Sequence, residues 1–123
     1  LKRILLAEDE EVLRMLVTDT LEDEDFQVDE AADGEEAWDL IQKQEYDLII
    51  LDYMMPVFTG LEVIEKVRND KTNQHTKILM LSAKSQIEEQ ERILKAGANY
   101  FMSKPFSPLK LLELVEEIVH EAH

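Results

Sequence analysis

Leu48-Ile49-Ile50-Leu51-Asp52-Tyr53-Met54-Met55-Pro56 is the stretch on which the fold turns. Four branched aliphatic residues, Leu48 to Leu51, close on a carboxylate at Asp52. A run this short and apolar, with no polar alternation, reads as a strand covered on both faces. Such strands belong to parallel sheets held between layers of helix. Reading outward, the same pattern recurs. Ile4-Leu5-Leu6-Ala7 closes on Glu8 and Asp9, and Ile78-Leu79-Met80-Leu81 closes on Ser82. Phe26 to Ala31 is a more modest strand, and Tyr100-Phe101-Met102 is a short one ahead of Lys104-Pro105.

Amphipathic stretches separate these runs. Val12, Leu13, Leu16, Val17 and Leu21 recur at helical spacing and predict a helix with an apolar stripe. Ala37, Leu40 and Ile41 mark a second helical face, and Leu61, Ile64 and Val67 a third. Residues 86–96 read as a fourth helix, with Gly97 as its stop. Leu111, Leu112, Val115, Ile118 and Val119 mark the last, with Ser107 as N-cap and Pro108 in its first turn. Asp33-Gly34 reads as a turn, and Pro56 and Gly60 bracket a loop. Trp38 and the Leu/Val stripes are expected in the core. Five strands alternating with five helices define an α/β fold with right-handed crossovers.

The 123 residues fit one domain, with no linker or internal repeat, and such a chain can bury roughly two-thirds of its unfolded surface. A hydrophobic content of 45% excludes disorder. Thirteen Lys and Arg against 28 Asp and Glu give a net charge of −15, which argues against nucleic acid or an anionic membrane as partner. The absence of Cys removes disulfides, thiolate zinc sites and a thiol nucleophile. No apolar run approaches the roughly 20 residues that span a bilayer. The chain begins at Leu1 rather than Met, compatible with excision from a longer polypeptide.

In open parallel sheets, function sits at the carboxyl ends of the strands. Glu8 and Asp9, Asp52, Ser82 and Lys104 all fall there. Converging carboxylates repel, and a hard divalent cation such as Mg²⁺ offsets that repulsion while still accepting phosphoryl oxygens. Asp52, last on a rigid strand, is well placed as a nucleophile, and carboxylates do form aspartyl-phosphates. Lys104 would neutralise the incoming group and Ser82 would donate a hydrogen bond to it.

These residues resemble the receiver domain of two-component response regulators, the CheY-like fold. The matching pieces are Ile4 to Glu10, Leu48 to Pro56 with Gly60, Leu81-Ser82-Ala83, Gly97-Ala98 and Lys104-Pro105-Phe106, which together span essentially the whole chain. The resemblance implies a flavodoxin-like, five-stranded parallel sheet of order 2-1-3-4-5 and a single receiver domain over residues 1–123. It implies that Asp52 is the phosphoacceptor and that Mg²⁺ is bound by Asp9, by Asp52, by the Met54 backbone carbonyl and, through water, by Glu8. It makes Ser82 the switch hydroxyl, Phe101 the switch aromatic and Lys104-Pro105 a cis bond. The implied partner is a sensor histidine kinase or phosphotransfer protein docking near the first helix. A downstream output domain or protein of unstated kind would read the fourth helix, fifth strand and fifth helix. The expected setting is cytoplasmic, with no contact of this domain to nucleic acid or membrane. The chain would not be an enzyme with turnover, although it would promote its own phosphorylation and dephosphorylation, with Met54 and Lys84 tuning the latter.

Several positions depart from the family pattern. Asp25 stands at a helix stop often taken by Gly, Thr59 replaces the usual Asp before Gly60, Ser82 replaces Thr and Phe101 replaces Tyr. Asn99-Tyr100 lacks the acidic pair of the large DNA-binding subfamily, and no Lys or Arg follows Lys110. The charge partners of that subfamily's dimer surface are therefore expected to be missing. His75, His120, His123 and the acid run Glu22 to Asp25 read as solvated surface. A Mg²⁺-dependent aspartyl-phosphate phosphatase acting on small molecules is the competing enzymatic reading, although Asp52 is followed by Tyr53-Met54 rather than x-Asp. A flavodoxin-type cofactor binder would need a phosphate loop where Glu8-Asp9-Glu10 stands. A receiver without phosphoryl chemistry would not need all five of these positions.

Overall fold

The computed structural model describes residues 1–83 and 86–120. The order is β1 (Arg3–Ala7), α1 (Glu11–Glu22), β2 (Gln27–Ala31), α2 (Gly34–Lys43), β3 (Leu48–Asp52), α3 (Gly60–Arg68), β4 (Ile78–Ser82), α4 (Ile87–Ala96), β5 (Tyr100–Ser103) and α5 (Pro108–Val119). All strand pairs are parallel, and the sheet runs β2-β1-β3-β4-β5. This is the expected doubly wound architecture.

The apolar runs explain the layering. Successive side chains of a strand point to opposite faces. Leu5, Ile49, Leu51, Ile78 and Met80 accordingly enter one cluster, with Ala37, Ile41, Ile64, Val67 and Ile93 of α2, α3 and α4. Ile4, Leu6, Leu48, Ile50, Leu79 and Leu81 enter the other, with Val17, Leu21, Leu111, Val115 and Ile118 of α1 and α5. Every residue of β3 and β4 is buried. Each fully buried Leu or Ile contributes about 1.5–3 kcal/mol, so the central strands anchor whatever lies at their ends.

Local chemistry sets the helix boundaries. Ser107 accepts from the Lys110 N–H with Pro108 opening α5, and Gly97, at φ 127, ends α4. Thr59, in place of the family's usual Asp, forms a complete capping box with Glu62 at the start of α3. Asp25 adopts φ 67, the left-handed region that Asp tolerates. His75, His120 and the run from Glu22 to Asp25 are exposed as expected.

Three readings need correction. Asp33-Gly34 is a helix start rather than a free turn: Asp33 caps α2, and the Gly34 N–H donates to the Pro56 carbonyl at 3.2 Å. A Cβ on Gly34 would meet the Phe58 carbonyl oxygen at 2.1 Å, so only glycine lets α2 approach the loop after β3. The α1 stripe is not all core: Val17 and Leu21 are buried, but Val12 and Leu16 are exposed beside Met15. Trp38 is only partly buried, against the cluster beneath α2 and α3. The reading of His123 falls outside the described residues, as does that of Lys84.

Candidate functional site

The parallel register brings the strand ends level. Ala7 pairs with Leu51, Asp52 with Leu81, and Ser82 with Ser103. Whatever follows these residues therefore gathers at one edge of the sheet. Glu8 follows β1 with its N–H donating to the Ala31 carbonyl at 3.0 Å. Asp52 is held by the next peptide, where Tyr53 N–H donates to the Leu81 carbonyl at 2.8 Å. Lys104 is fixed by its own N–H, which donates to the Ser82 carbonyl at 2.8 Å. The Lys104-Pro105 bond is cis.

Side chains from three strand ends meet there. Lys104 Nζ lies 2.8 Å from Glu8 Oε1 and 3.0 Å from Asp52 Oδ2. The second Glu8 oxygen accepts from the Glu10 N–H at 3.0 Å, so both oxygens of Glu8 already have protein donors. Carboxylate oxygens of Glu8, Asp9 and Asp52 all lie within 4.8 Å of one another. Glu8 and Asp52 are buried, whereas Asp9 is exposed. Among the described residues the Asp9 carboxylate takes no hydrogen bond or salt bridge.

The charges do not balance. Three carboxylates face one ammonium. Burial and the neighbouring Glu8 charge push Asp52 up to about 7, against the opposing pull of Lys104. Burial alone would raise Glu8 as well, but its bonds from Lys104 and the Glu10 N–H hold it below the usual carboxylate range. The same two acids outweigh burial at Lys104 and raise it. An oxygen-rich, net-negative cluster with one unpartnered carboxylate has the donor chemistry of a Mg²⁺ site.

Ser82, at the end of β4, is fully buried. Phe101 of β5 is partly buried against the cluster that holds Ile93 of α4, and it pairs in register with Met80. Ser82 lies two residues from Met80, so Ser82 and Phe101 share the sheet face covered by α4. The Met54 side chain is exposed, while Met55 is buried. Beside them Val57 takes φ 70, a strained conformation for a β-branched residue.

Two residues at this edge make contacts that have no counterpart in the sequence reading. Tyr53 donates its hydroxyl to Glu89 Oε2 at 3.2 Å, tying the end of β3 to α4. Arg14 donates from Nη1 to the Glu8 carbonyl at 2.8 Å and from Nε to Glu30 Oε1 at 3.1 Å. Arg14 stands on the polar side of the α1 pattern, where periodicity marks only a solvated residue.

The doubly wound fold thus carries an acid cluster paired with a lysine at the carboxyl edge of its sheet. The chain belongs to the response regulator receiver domain family, which it matches over residues 4–116. It is 36% identical over 122 residues to the phosphate regulon transcriptional regulatory protein PhoB of Rhizobium meliloti, covering 99% of this chain and 54% of that protein. It resembles the chemotaxis response regulator CheY4 of Vibrio cholerae with a TM-score of 0.91 and 36% identity, over 96% of this chain and 98% of that one. The receiver domain of the sensor histidine kinase PA1611 of Pseudomonas aeruginosa, solved with magnesium coordinated in its active-site cleft, matches with a TM-score of 0.89 and 28% identity over 98% of both chains. The chain spans about half the length of the curated relatives it matches. It is thus a signalling domain of two-component systems, whose general function is phosphorylation by histidine kinases. No helix among the described residues is long and apolar enough to cross a membrane.

Proposed function

We propose that Asp52 accepts a phosphoryl group from a phosphohistidine on a sensor histidine kinase or phosphotransfer protein, with Mg²⁺ held by the acid cluster. The observation that carries this is Lys104 bridging Asp52 and Glu8, whose carboxylate oxygens lie within 4.8 Å of one another and of the Asp9 carboxylate. The Asp52 oxygen attacks phosphorus, the phosphorus–nitrogen bond to the donor histidine breaks, and its electron pair leaves with the imidazole. Lys104 contributes positive charge to the transferred group, and Ser82 donates a hydrogen bond to it. Bound Mg²⁺ would neutralise charge on the phosphoryl oxygens. Asp9 and Asp52 would hold it directly, Glu8 through water, and the Met54 carbonyl would be the further protein ligand. Only ionised Asp52 is a nucleophile; Lys104 favours that form against the effect of burial, and bound Mg²⁺ would favour it further.

The exposed apolar residues Val12, Met15 and Leu16 of α1 support donor docking at that helix. The added charge draws Ser82 and Lys104 toward Asp52, and Phe101 moves into the space Ser82 leaves. This shifts the pre-existing balance of the α4–β5–α5 surface, which a downstream output domain or protein reads. A single receiver domain occupying residues 1–123, in the cytoplasm, is the simplest setting for this chemistry.

Incubation with a small phosphodonor and Mg²⁺, followed by intact mass, tests the reading. One added phosphoryl group on the wild type and none on Asp52→Asn is the expected result. Equal addition to both, or none to either, sinks the assignment. Turnover of phosphomonoesters would instead favour a small-molecule phosphatase.

A further inference from the structure

Asp9 poses a positioning problem. Its carboxylate is exposed and, among the described residues, has no hydrogen-bond or salt-bridge partner. The point from which it reaches is therefore set by the backbone that carries it. The peptide leading into Asp9 contains the Glu8 carbonyl, the very atom that Arg14 Nη1 binds at 2.8 Å. The Glu8 side chain and N–H are tied separately, to Lys104 and to the Ala31 carbonyl. Arg14 thus completes the restraint of the loop between β1 and α1.

The guanidinium suits this task. It spends Nη1 on a carbonyl and Nε on a carboxylate of β2, two directions at once, which a lysine ammonium on a flexible stem does not reproduce. The Arg14 side chain is 17% exposed, so its charge is only partly screened by water. An uncompensated cation here would oppose a bound divalent ion, and Glu30 supplies the compensation.

We propose that Arg14 is a positioning residue for the metal cluster: by holding the Glu8–Asp9 peptide it presents the Asp9 carboxylate to Mg²⁺, while Glu30 cancels its charge. This rests on the Mg²⁺-dependent reading of the site. Outer partners that orient metal ligands typically change metal affinity by about tenfold or more when lost.

Mg²⁺ affinity, measured by calorimetric titration and amide chemical shifts, tests it alongside urea midpoints. Arg14→Lys keeps the charge and loses the fork, and is expected to weaken Mg²⁺ about tenfold; Arg14→Gln serves as a second variant. Asp9→Asn weakens it further, and the double variant Arg14→Lys/Asp9→Asn is no weaker than Asp9→Asn alone. Glu30→Gln retains the bond to the Glu8 carbonyl and weakens Mg²⁺ by about twofold, more at low salt. Wild-type affinity in Arg14→Lys and Arg14→Gln, even with lowered urea midpoints, overturns the assignment. So does additivity with Asp9→Asn. Tighter binding in Arg14→Gln with no change in Arg14→Lys would reduce Arg14 to a charge effect. Wild-type protein that fails to bind Mg²⁺ overturns the metal reading itself, a result distinct from those of the variants.

Discussion

The two edges of the sheet handle buried charge in opposite ways. At the amino edge Arg68, the last residue of α3, is surrounded by oxygen acceptors. Nε and Nη2 donate to the Gly97 carbonyl at 3.0 and 2.7 Å, Nη2 also to Asn99 Oδ1, and Nη1 to the carbonyls of Gln74 and Thr76. Asn99 Oδ1 in turn accepts from the Ile78 N–H at 2.8 Å, so one cation links α3, the approach to β4 and the end of α4. Gly97 belongs to the same device, since a Cβ there would meet Arg68 Cγ at 2.8 Å. At the carboxyl edge, three carboxylates cluster beside one ammonium, which binds two of them, and the third, Asp9, has no partner among the described residues. A charge whose donors are fully used stabilises the fold. A charge left under-compensated retains the capacity to bind something else.

The contrast can be broken by separating stability from ligand binding. Arg68→Met leaves several carbonyls short of a donor and should cost about 3 kcal/mol of stability without moving Mg²⁺ affinity. Urea unfolding and metal titration on the same protein check this, and a change in affinity would mean the edges are coupled. Lys104→Met should behave in the opposite sense. Removing the competing ammonium should tighten Mg²⁺, while phosphoryl acceptance slows by about a hundredfold. Phosphorylation time courses at saturating Mg²⁺ provide the measurement, and unchanged rates would show that Lys104 is only structural.

A smaller effect sharpens the comparison through pH. Asp52 sits at about 7 in the folded protein, against roughly 3.9 when unfolded. Between those values the folded state keeps a proton that the unfolded state releases. Its contribution to stability therefore declines as pH rises from about 4 to about 7 and is level above that. Asp52→Asn should be more stable than wild type at pH 8, by at most about 4 kcal/mol, and little different near pH 4. Urea midpoints of the two proteins across that range report the slope, and parallel curves would show that the Asp52 carboxyl is not raised in the folded protein.

Legibility followed the range of the interactions. The central strands were readable because burial on both faces leaves a compositional trace in Leu48 to Leu51 and Ile78 to Leu81. Helix periodicity placed α1 but not its packing. Val12 and Leu16 match the spacing of Val17 and Leu21 yet remain 73% and 50% exposed, because none of the described elements covers that side of the helix. Val57 gave no warning, since a β-branched residue is among the least suited to φ 70.

From the sequence by itself came the α/β class, the inventory of acids and lysine at the strand ends, and the family resemblance that supplied the strand order. All of these rest on local pattern or on short motifs in a fixed order. The tertiary structure decided that Lys104 sits closer to Glu8 than to Asp52, that Asp9 has no partner among the described residues, and that Arg14 donates to the Glu8 carbonyl and Arg68 to the Gly97 carbonyl. The bonds of Lys104 join residues 96 and 52 positions apart. Their strength depends on separation and desolvation, quantities that exist only once the chain has folded.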